Sequence, residues 1–282
     1  MKRVLVCVLL FLLMAPGVLH SERTVSKSVW VWDAEKMITE WDEVKPFLIE
    51  NGVTDVYVHW NPSLGKDEYR FFIGELDGIG ISAHALMGSP YWGLEAYQSH
   101  IKKRIDMVVS YNNEVSVENQ FEGIHFDIEP YLLDEWDRDR GTVITEWKEN
   151  VVYYTDYAKS HGFKTGAAIP FWLDHAGVTD VDPTFYKTMI DHHDSVSLMS
   201  YRDRALGSNS ITSLSLNEVT YAKDSKVEIG IELLPSSLSY ITFYEEADAY
   251  MEEEIGKVRS CFEGEEGWKG IAYHDLFYWM ER

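Results

Sequence analysis

The chain has 282 residues and a formal net charge of −22 at pH 7, and 14% of its residues are aromatic. A surface this acidic repels nucleic acid and anionic lipid, so we exclude both as partners.

The N-terminus has the pattern of a secretory signal peptide. A basic pair at residues 2–3 precedes an apolar run over 4–15, and small residues lead to a predicted cleavage site near Ser21. The run is too short for a stable membrane span, so we expect an exported monomer, secreted or periplasmic and free of the membrane after cleavage. Removing residues 1–21 leaves 23 basic and 47 acidic side chains, a net charge of −24, and Cys261 as the single cysteine. One cysteine allows neither an intramolecular disulfide nor a cysteine-based zinc site.

In the remaining chain, short apolar runs alternate with amphipathic stretches, as in βαβ units. Eight runs are predicted to be strands: 29–32, 56–60, 81–86, 121–129, 164–170, 196–201, 226–232 and 270–274. Helices are predicted between them over 33–51, around 71–76, and over 96–111, 144–160 and 245–259. About 260 residues suit one barrel, so we predict an α/β protein with a single (β/α)8 TIM barrel over 22–282.

The fourth predicted strand carries the clearest chemical signal. Its residues alternate, so that Ile124, Phe126 and Ile128 point one way while His125, Asp127 and Glu129 point the other way. Acidic side chains on one face of a strand are costly unless they meet solvent, partners or a substrate. Glu129 also faces the like charge of Asp127, which raises its pKa and favours a protonated acid near neutrality. We therefore predict a catalytic floor on this strand.

Residues at strand ends extend the predicted site, because barrel enzymes place their chemistry at the C-terminal ends of the strands. Trp and Tyr side chains there fit stacking on sugar rings, which indicates a polysaccharide or oligosaccharide substrate and requires no cofactor or metal. Polar residues at the ends supply hydrogen bonds. The predicted substrate-binding residues are Trp32, Asp33, Trp60, His84, His125, Trp172, Arg202, Tyr273 and His274.

Three segments resemble the family 18 chitinase-like glycoside hydrolases. Residues 121–129 are similar to the fourth-strand motif D-G-x-D-x-D-x-E, residues 198–201 to the sixth-strand M-x-Y, and residues 270–273 to the eighth-strand segment with its aromatic residue. The resemblance implies a general acid at Glu129, assistance from Asp127, and contact of Tyr201 with the N-acetyl group of the substrate. The sequence departs from the pattern at Glu122, His125 and Arg202, where the family has aspartates.

Glu232 is a second candidate for the catalytic carboxylate. It ends the seventh predicted strand, and Glu129-Pro130 resembles the N-E-P motif of a large clan of retaining barrel glycosidases, with Ile128 in place of the asparagine. Two retaining mechanisms therefore stay open. Either Asp127 supports a substrate-assisted step, or Glu232 is the nucleophile of a double displacement.

Two other functions compete with the glycosidase. A catalytically inactive carbohydrate-binding barrel would keep the aromatic residues without turnover. A metal-dependent hydrolase would use imidazoles and carboxylates, although the first strand lacks the His-x-His pair that is common in metal amidohydrolase barrels. Its candidate ligands are Asp33, His59, His84, His125 and Asp127. The pair His192-His193 is predicted to be solvated and not to bind metal.

Overall fold

The structure, a computed structural model, describes residues 25–282, so the predicted signal peptide lies outside the described residues. Eight parallel strands pair in chain order, and β8 pairs with β1 to close the barrel. The predicted (β/α)8 barrel is confirmed. The strands are β1 Ser26–Val31, β2 Asp55–His59, β3 Ser82–Met87, β4 Gly123–Asp127, β5 Lys164–Pro170, β6 Ser195–Met199, β7 Val227–Glu232 and β8 Trp268–His274.

The largest difference in strand length concerns β4, which was predicted over 121–129 and ends at Asp127. Pro130 begins a 3-10 turn, Pro130–Leu132, with Glu129 as its N-cap. A proline has no N–H to donate to a ladder, so the chain leaves the sheet here. Glu129 therefore lies in the loop above the strand, two residues beyond Asp127.

Helices surround the barrel: α1 Ala34–Thr39, α2 Trp41–Glu50, α3 Lys66–Asp77, α4 Gln98–Glu114, α5 Asp134–Arg138, α6 Arg140–Ser160, α7 Ala176–Thr179, α8 Phe185–His192, α9 Ile211–Tyr221, α10 Asp248–Phe262 and α11 Leu276–Met280. The predicted helix over 33–51 is wrong as one element, because the backbone turns at Glu40 between α1 and α2. That turn lets Met37 and Trp41 both pack inward. Within residues 25–282, no helix is long and apolar enough to cross a membrane.

Five helices were not predicted, namely α5, α7, α8, α9 and α11. Helix α11 has the sequence LFYWM, and Leu276, Phe277 and Trp279 are buried in it. Such a run has no polar face, so its sequence does not show the helical period.

The main core lies between the barrel and the helices. Ile124, Phe126 and Ile128 of the β4 segment point into it and are buried, which confirms the predicted alternation. The barrel interior has a smaller apolar cluster that includes Trp30, Tyr57 and Leu86. This interior cluster separates a polar group at the N-terminal end of the barrel from the carboxylates at the C-terminal end.

The polar group at the N-terminal end surrounds the buried carboxylate of Glu228. Its Oε1 accepts hydrogen bonds from Ser28 at 2.7 Å and from Lys269 at 2.7 Å. Tyr57 donates to Oε2 at 2.6 Å. Two further serines, Ser26 and Ser197, also donate to this carboxylate. With five donors and one positive charge, Glu228 is a fully satisfied interior ion pair.

Candidate active site

Two carboxylates lie at the C-terminal mouth of the barrel, where β4 ends. Glu129 is half-buried, and its Oε1 accepts a short hydrogen bond from the hydroxyl of Tyr131. Asp127 points into the barrel, and its Oδ1 is buried with no hydrogen-bond partner among residues 25–282. An unsatisfied buried carboxylate oxygen is costly, and such groups occur where a ligand supplies the missing partner.

The electrostatics of this pair favour a bound proton. Burial and, to a smaller extent, the negative charge of Glu129 raise the pKa of Asp127 to about 7, and His274 acts in the opposite direction. Because burial and a like charge both disfavour its ionised form, Asp127 keeps its proton to a higher pH than an ordinary aspartate. The site thus combines a carboxyl group that favours its protonated form with a second carboxyl group beside it.

The loop after β3 supports the end of β4 through Gly88. A Cβ atom built on Gly88 would lie 1.7 Å from the carbonyl oxygen of Asp127. Only glycine allows the two backbones to approach this closely. This packing fixes the position of the end of β4.

A hydrogen-bonded chain crosses the mouth from β7 to β1. The indole N–H of Trp32 donates to Nε2 of His274 at 2.8 Å, and Nδ1 of His274 lies 3.0 Å from Oε2 of Glu232. Because an indole N–H only donates, Nε2 must accept, and the proton of a neutral His274 is on Nδ1, facing Glu232. Hydrogen bonding to Glu232 raises the pKa of His274 against the effect of burial. The hydrogen bond from Trp32 requires an unprotonated Nε2 and therefore opposes that protonation.

The carboxylate of Glu232 has further donors. Its Oε1 accepts hydrogen bonds from the backbone N–H groups of Leu233 and Leu234, both at 2.9 Å. Together with His274, three donors hold this carboxylate in one orientation.

Tyr201 lies between these groups. Its ring is stacked on His274 with the centroids 6.1 Å apart and the planes at 19°. Burial raises the pKa of Tyr201 well above its usual value, and Glu232, Asp127 and Glu129 raise it further. The phenol therefore keeps its proton and is a hydrogen-bond donor among three carboxylates.

Aromatic side chains form the rim of the mouth beside Glu129. The ring of Trp172 lies 4.9 Å from that of Tyr131 and 5.7 Å from that of Trp136, and it is only partly buried. Arg202 lies further round the rim, where its guanidinium packs 5.1 Å from the Phe171 ring. Tyr131 was not assigned a role from the sequence. The sequence feature that could have identified Tyr131 is its position two residues after the predicted acid, Glu129, with a hydroxyl able to donate to it.

Four predicted substrate-binding residues do not face the mouth. Trp60 and Tyr273 are buried between the barrel and the helices, where Tyr273 is stacked on Trp279 at 3.7 Å. Side chains alternate along a strand, so the inward neighbours are His59 and His274 instead. His84 points inward but pairs with Asp55 at 3.2 Å, towards the N-terminal end of the barrel.

His125 also points inward, but it is fully buried beneath Asp127. Its ring is stacked on Tyr57 with the centroids 3.8 Å apart, and burial holds its pKa well below the usual value. Asp33 is exposed, and its carboxylate caps α1 by accepting from the Lys36 N–H at 2.8 Å.

The histidines and acids proposed as metal ligands are dispersed. Throughout the described part of the chain, no three His, Cys, Asp or Glu side chains are grouped to hold a metal ion. The prediction that His193 is solvated is wrong. His193 is fully buried, and its ring contacts the Tyr154 hydroxyl at 3.0 Å and the Met189 carbonyl at 2.7 Å.

Comparison with known proteins gives similarity of structure alone. No protein-family model matches the sequence, and no curated protein sequence matches it. A GH18 chitinase from Pseudoalteromonas aurantia is 12% identical, with 89% of this chain and 93% of that chain covered and a TM-score of 0.60. A plant class V chitinase mutant from Cycas revoluta, in complex with (GlcNAc)3, is 9% identical, with 91% and 96% covered and a TM-score of 0.56.

The spore cortex-lytic enzyme SleL of Bacillus megaterium is also similar, at 14% identity, with 91% of this chain and 72% of that chain covered and a TM-score of 0.57. At such identities the likeness is one of fold. The resemblance to chitinase-like hydrolases that the motifs indicated is therefore confirmed in the architecture of the barrel.

Proposed function

We propose that this protein is a glycoside hydrolase that cleaves a 2-acetamido glycan at the C-terminal mouth of the barrel. The observation that carries the proposal is the pair Asp127 and Glu129, in which a buried carboxyl with an unpartnered oxygen lies beside a second carboxylate. The half-buried aromatic rim offers flat surfaces to sugar rings. The barrel likeness to a chitinase in complex with (GlcNAc)3 supports a carbohydrate substrate.

In the proposed mechanism Glu129 is the general acid. Tyr131 donates to Oε1 of Glu129, so the catalytic proton is carried on Oε2 and passes to the glycosidic oxygen. The acetamido oxygen of the substrate attacks the anomeric carbon while Asp127 stabilises the positive charge that develops on the acetamido group. Tyr201 donates a hydrogen bond to the same group. Glu129 then takes a proton from the water that opens the intermediate.

We assign Glu232 a positioning role and not that of a nucleophile. Two backbone N–H groups and His274 already donate to its carboxylate. Those bonds stabilise the anion and lower its nucleophilicity. Glu232 instead orients His274, which is stacked on Tyr201.

The test is Glu129→Gln, assayed by the release of reducing ends from N-acetylglucosamine oligosaccharides. Glutamine keeps the size of the side chain but donates no carboxylic proton, so we expect activity to fall about 10²-fold or more. Glu135→Gln, a change at a partly exposed side chain of α5 that pairs with Arg138, is the matched control and should keep activity. An active Glu129→Gln protein contradicts the proposal. Binding without turnover by the unaltered protein would identify a carbohydrate-binding barrel.

We also propose that the protein is exported as a monomer after cleavage near Ser21. The pattern of residues 1–21 supports this proposal. Mass spectrometry of the mature protein should find an N-terminus near Glu22 in the extracytoplasmic fraction, and light scattering should give the mass of one chain. An intact Met1 in exported material contradicts the cleavage.

A further inference from the structure

A pocket of about 480 Å³ lies beside the mouth, at the ends of β2 and β3. One wall is a face of α4 with His100, Lys103 and Arg104, and the opposite wall is formed by His59, Gly88 and Trp92. The helix residues are spaced at i, i+3 and i+4, so their side chains project from the same face of α4.

The pocket is directly connected to the catalytic groups. Gly88, in its wall, is the residue packed against the carbonyl of Asp127. The His59 ring lies 5.9 Å from that of Trp32, whose indole N–H donates to His274. The pocket therefore lies beside the mouth, and its lining contacts residues that hold the carboxylate end of β4 and the His274 chain.

The charge of the pocket is opposite to that of the protein. The chain as a whole has a net charge of −22, yet the residues that line this pocket include no carboxylate. Lys103 forms no ion pair within residues 25–282. Arg104 donates to the Trp60 carbonyl at 2.7 Å and likewise has no acidic partner there. By contrast, the neighbouring Lys102 is neutralised by Asp106 at 2.8 Å.

Two cations without acidic partners in a concave site attract an anion. We propose that this pocket binds an anionic substituent, a carboxylate or a sulfate, on a sugar of the glycan that is cleaved at the mouth. Arg104 is half-buried and held by its bond to Trp60, so its guanidinium is pre-oriented, while Lys103 supplies a mobile charge. The inference rests on the proposed hydrolase function and specifies its substrate class as an acidic 2-acetamido glycan.

The experiment compares matched oligosaccharides. An oligosaccharide of alternating N-acetylglucosamine and N-acetylmuramic acid carries one carboxylate on every second sugar, and its carboxyl-reduced form is neutral with the same backbone. A 6-O-sulfated N-acetylglucosamine oligosaccharide tests the sulfate alternative. We expect kcat/KM to be about tenfold higher for one acidic glycan than for its neutral counterpart, and the preference to decrease with added salt.

Variants on α4 assign the preference to the pocket. Lys103→Gln should lower the acidic-to-neutral ratio of kcat/KM about fivefold, and Lys103→Glu should lower it further. Lys102→Gln removes the same charge one residue away, outside the pocket, and should leave the ratio unchanged. Equal kcat/KM for acidic and neutral forms, or an equal effect of Lys102→Gln and Lys103→Gln, overturns the inference.

Binding measurements separate this inference from the hydrolase proposal. Calorimetric titration of Glu129→Gln protein with the acidic and reduced oligosaccharides should give the same preference, again reduced by Lys103→Gln. If the unaltered protein cleaves none of the glycans while this binding preference is observed, the hydrolase proposal fails and the pocket assignment stands. If the glycans are cleaved without preference, the pocket assignment fails alone.

Discussion

Glu228 and Asp127 both place a carboxylate inside the barrel, but the two carboxylates differ in the hydrogen-bond donors that surround them. Glu228, at the N-terminal end, accepts from three serines, from Tyr57 and from Lys269. Asp127, at the C-terminal end, has one buried oxygen without a partner in the described chain and faces the like charge of Glu129. The same functional group is neutralised at one end and left reactive at the other.

This difference has opposite energetic consequences at the two ends of the barrel. A carboxylate with a full set of donors and an opposite charge is a low-energy part of the interior and has no capacity for a ligand. A carboxylate without donors destabilises the fold, and that cost is recovered when a substrate supplies the partner. The comparison predicts separate consequences for stability and for activity, and the following experiments test that separation.

The largest effect is expected for Glu228→Gln, in the satisfied network. The change leaves the Lys269 ammonium without its counter-ion and places an amide N–H₂ among donors, so unfolding free energy should fall by about 3 kcal/mol. Urea unfolding at pH 7 measures this loss. Glu75→Gln, which breaks an exposed pair with Lys45, is the control and should change stability little. Unchanged stability in Glu228→Gln would contradict the structural role of the network.

The matching change at the mouth is Asp127→Asn, which should affect activity and not stability. Asparagine keeps the shape but carries no charge to stabilise the reacting acetamido group, so kcat should fall about 10²-fold. Its folded fraction in the same urea titration should equal or exceed that of the unaltered protein. A loss of stability comparable to that of Glu228→Gln would remove the distinction between the two carboxylates.

The raised pKa of Asp127 also predicts how stability depends on pH. Its folded pKa of about 7 lies above the usual value of 3.8 for an aspartate, so between these values the native state holds a proton that the unfolded state releases. Stability from this group is therefore present below about pH 4 and is lost as the pH rises towards 7, by at most about 1.4 kcal/mol per pH unit. The difference in unfolding free energy between Asp127→Asn and the unaltered protein should grow across this range. A difference that is independent of pH would show that Asp127 is not protonated there.

The smallest effect is expected at Glu232, a carboxylate at the mouth that has donors like those of Glu228. Glu232→Gln offers one oxygen to three donors and loosens His274, so kcat should fall about tenfold. Glu232→Ala distinguishes positioning from nucleophilic catalysis. Azide should not restore its activity, whereas restored activity with a glycosyl azide product would show that Glu232 is the nucleophile.

The orientation of side chains was predictable wherever strand boundaries were correct. In β4 the alternation placed Phe126 outside and Asp127 inside, as observed. Trp60 and Tyr273 were predicted from their place at strand ends and not from the alternation, and both lie in the outer core. An aromatic side chain is suited both to the outer core and to the mouth of the barrel. Its position along the strand determines which of the two it faces.

The sequence by itself determined the barrel and the acidic end of β4. Both follow from the two-residue alternation of side chains along a strand and from the chemistry of single residues. The tertiary structure decided which polar residues meet. Glu228 and its donors come from five strands, and the pocket beside Gly88 joins the ends of β2 and β3 to a face of α4. Such contacts link residues that are far apart in the chain. Only the closure of the barrel fixes the register of the strands and the depth of each side chain in the interior.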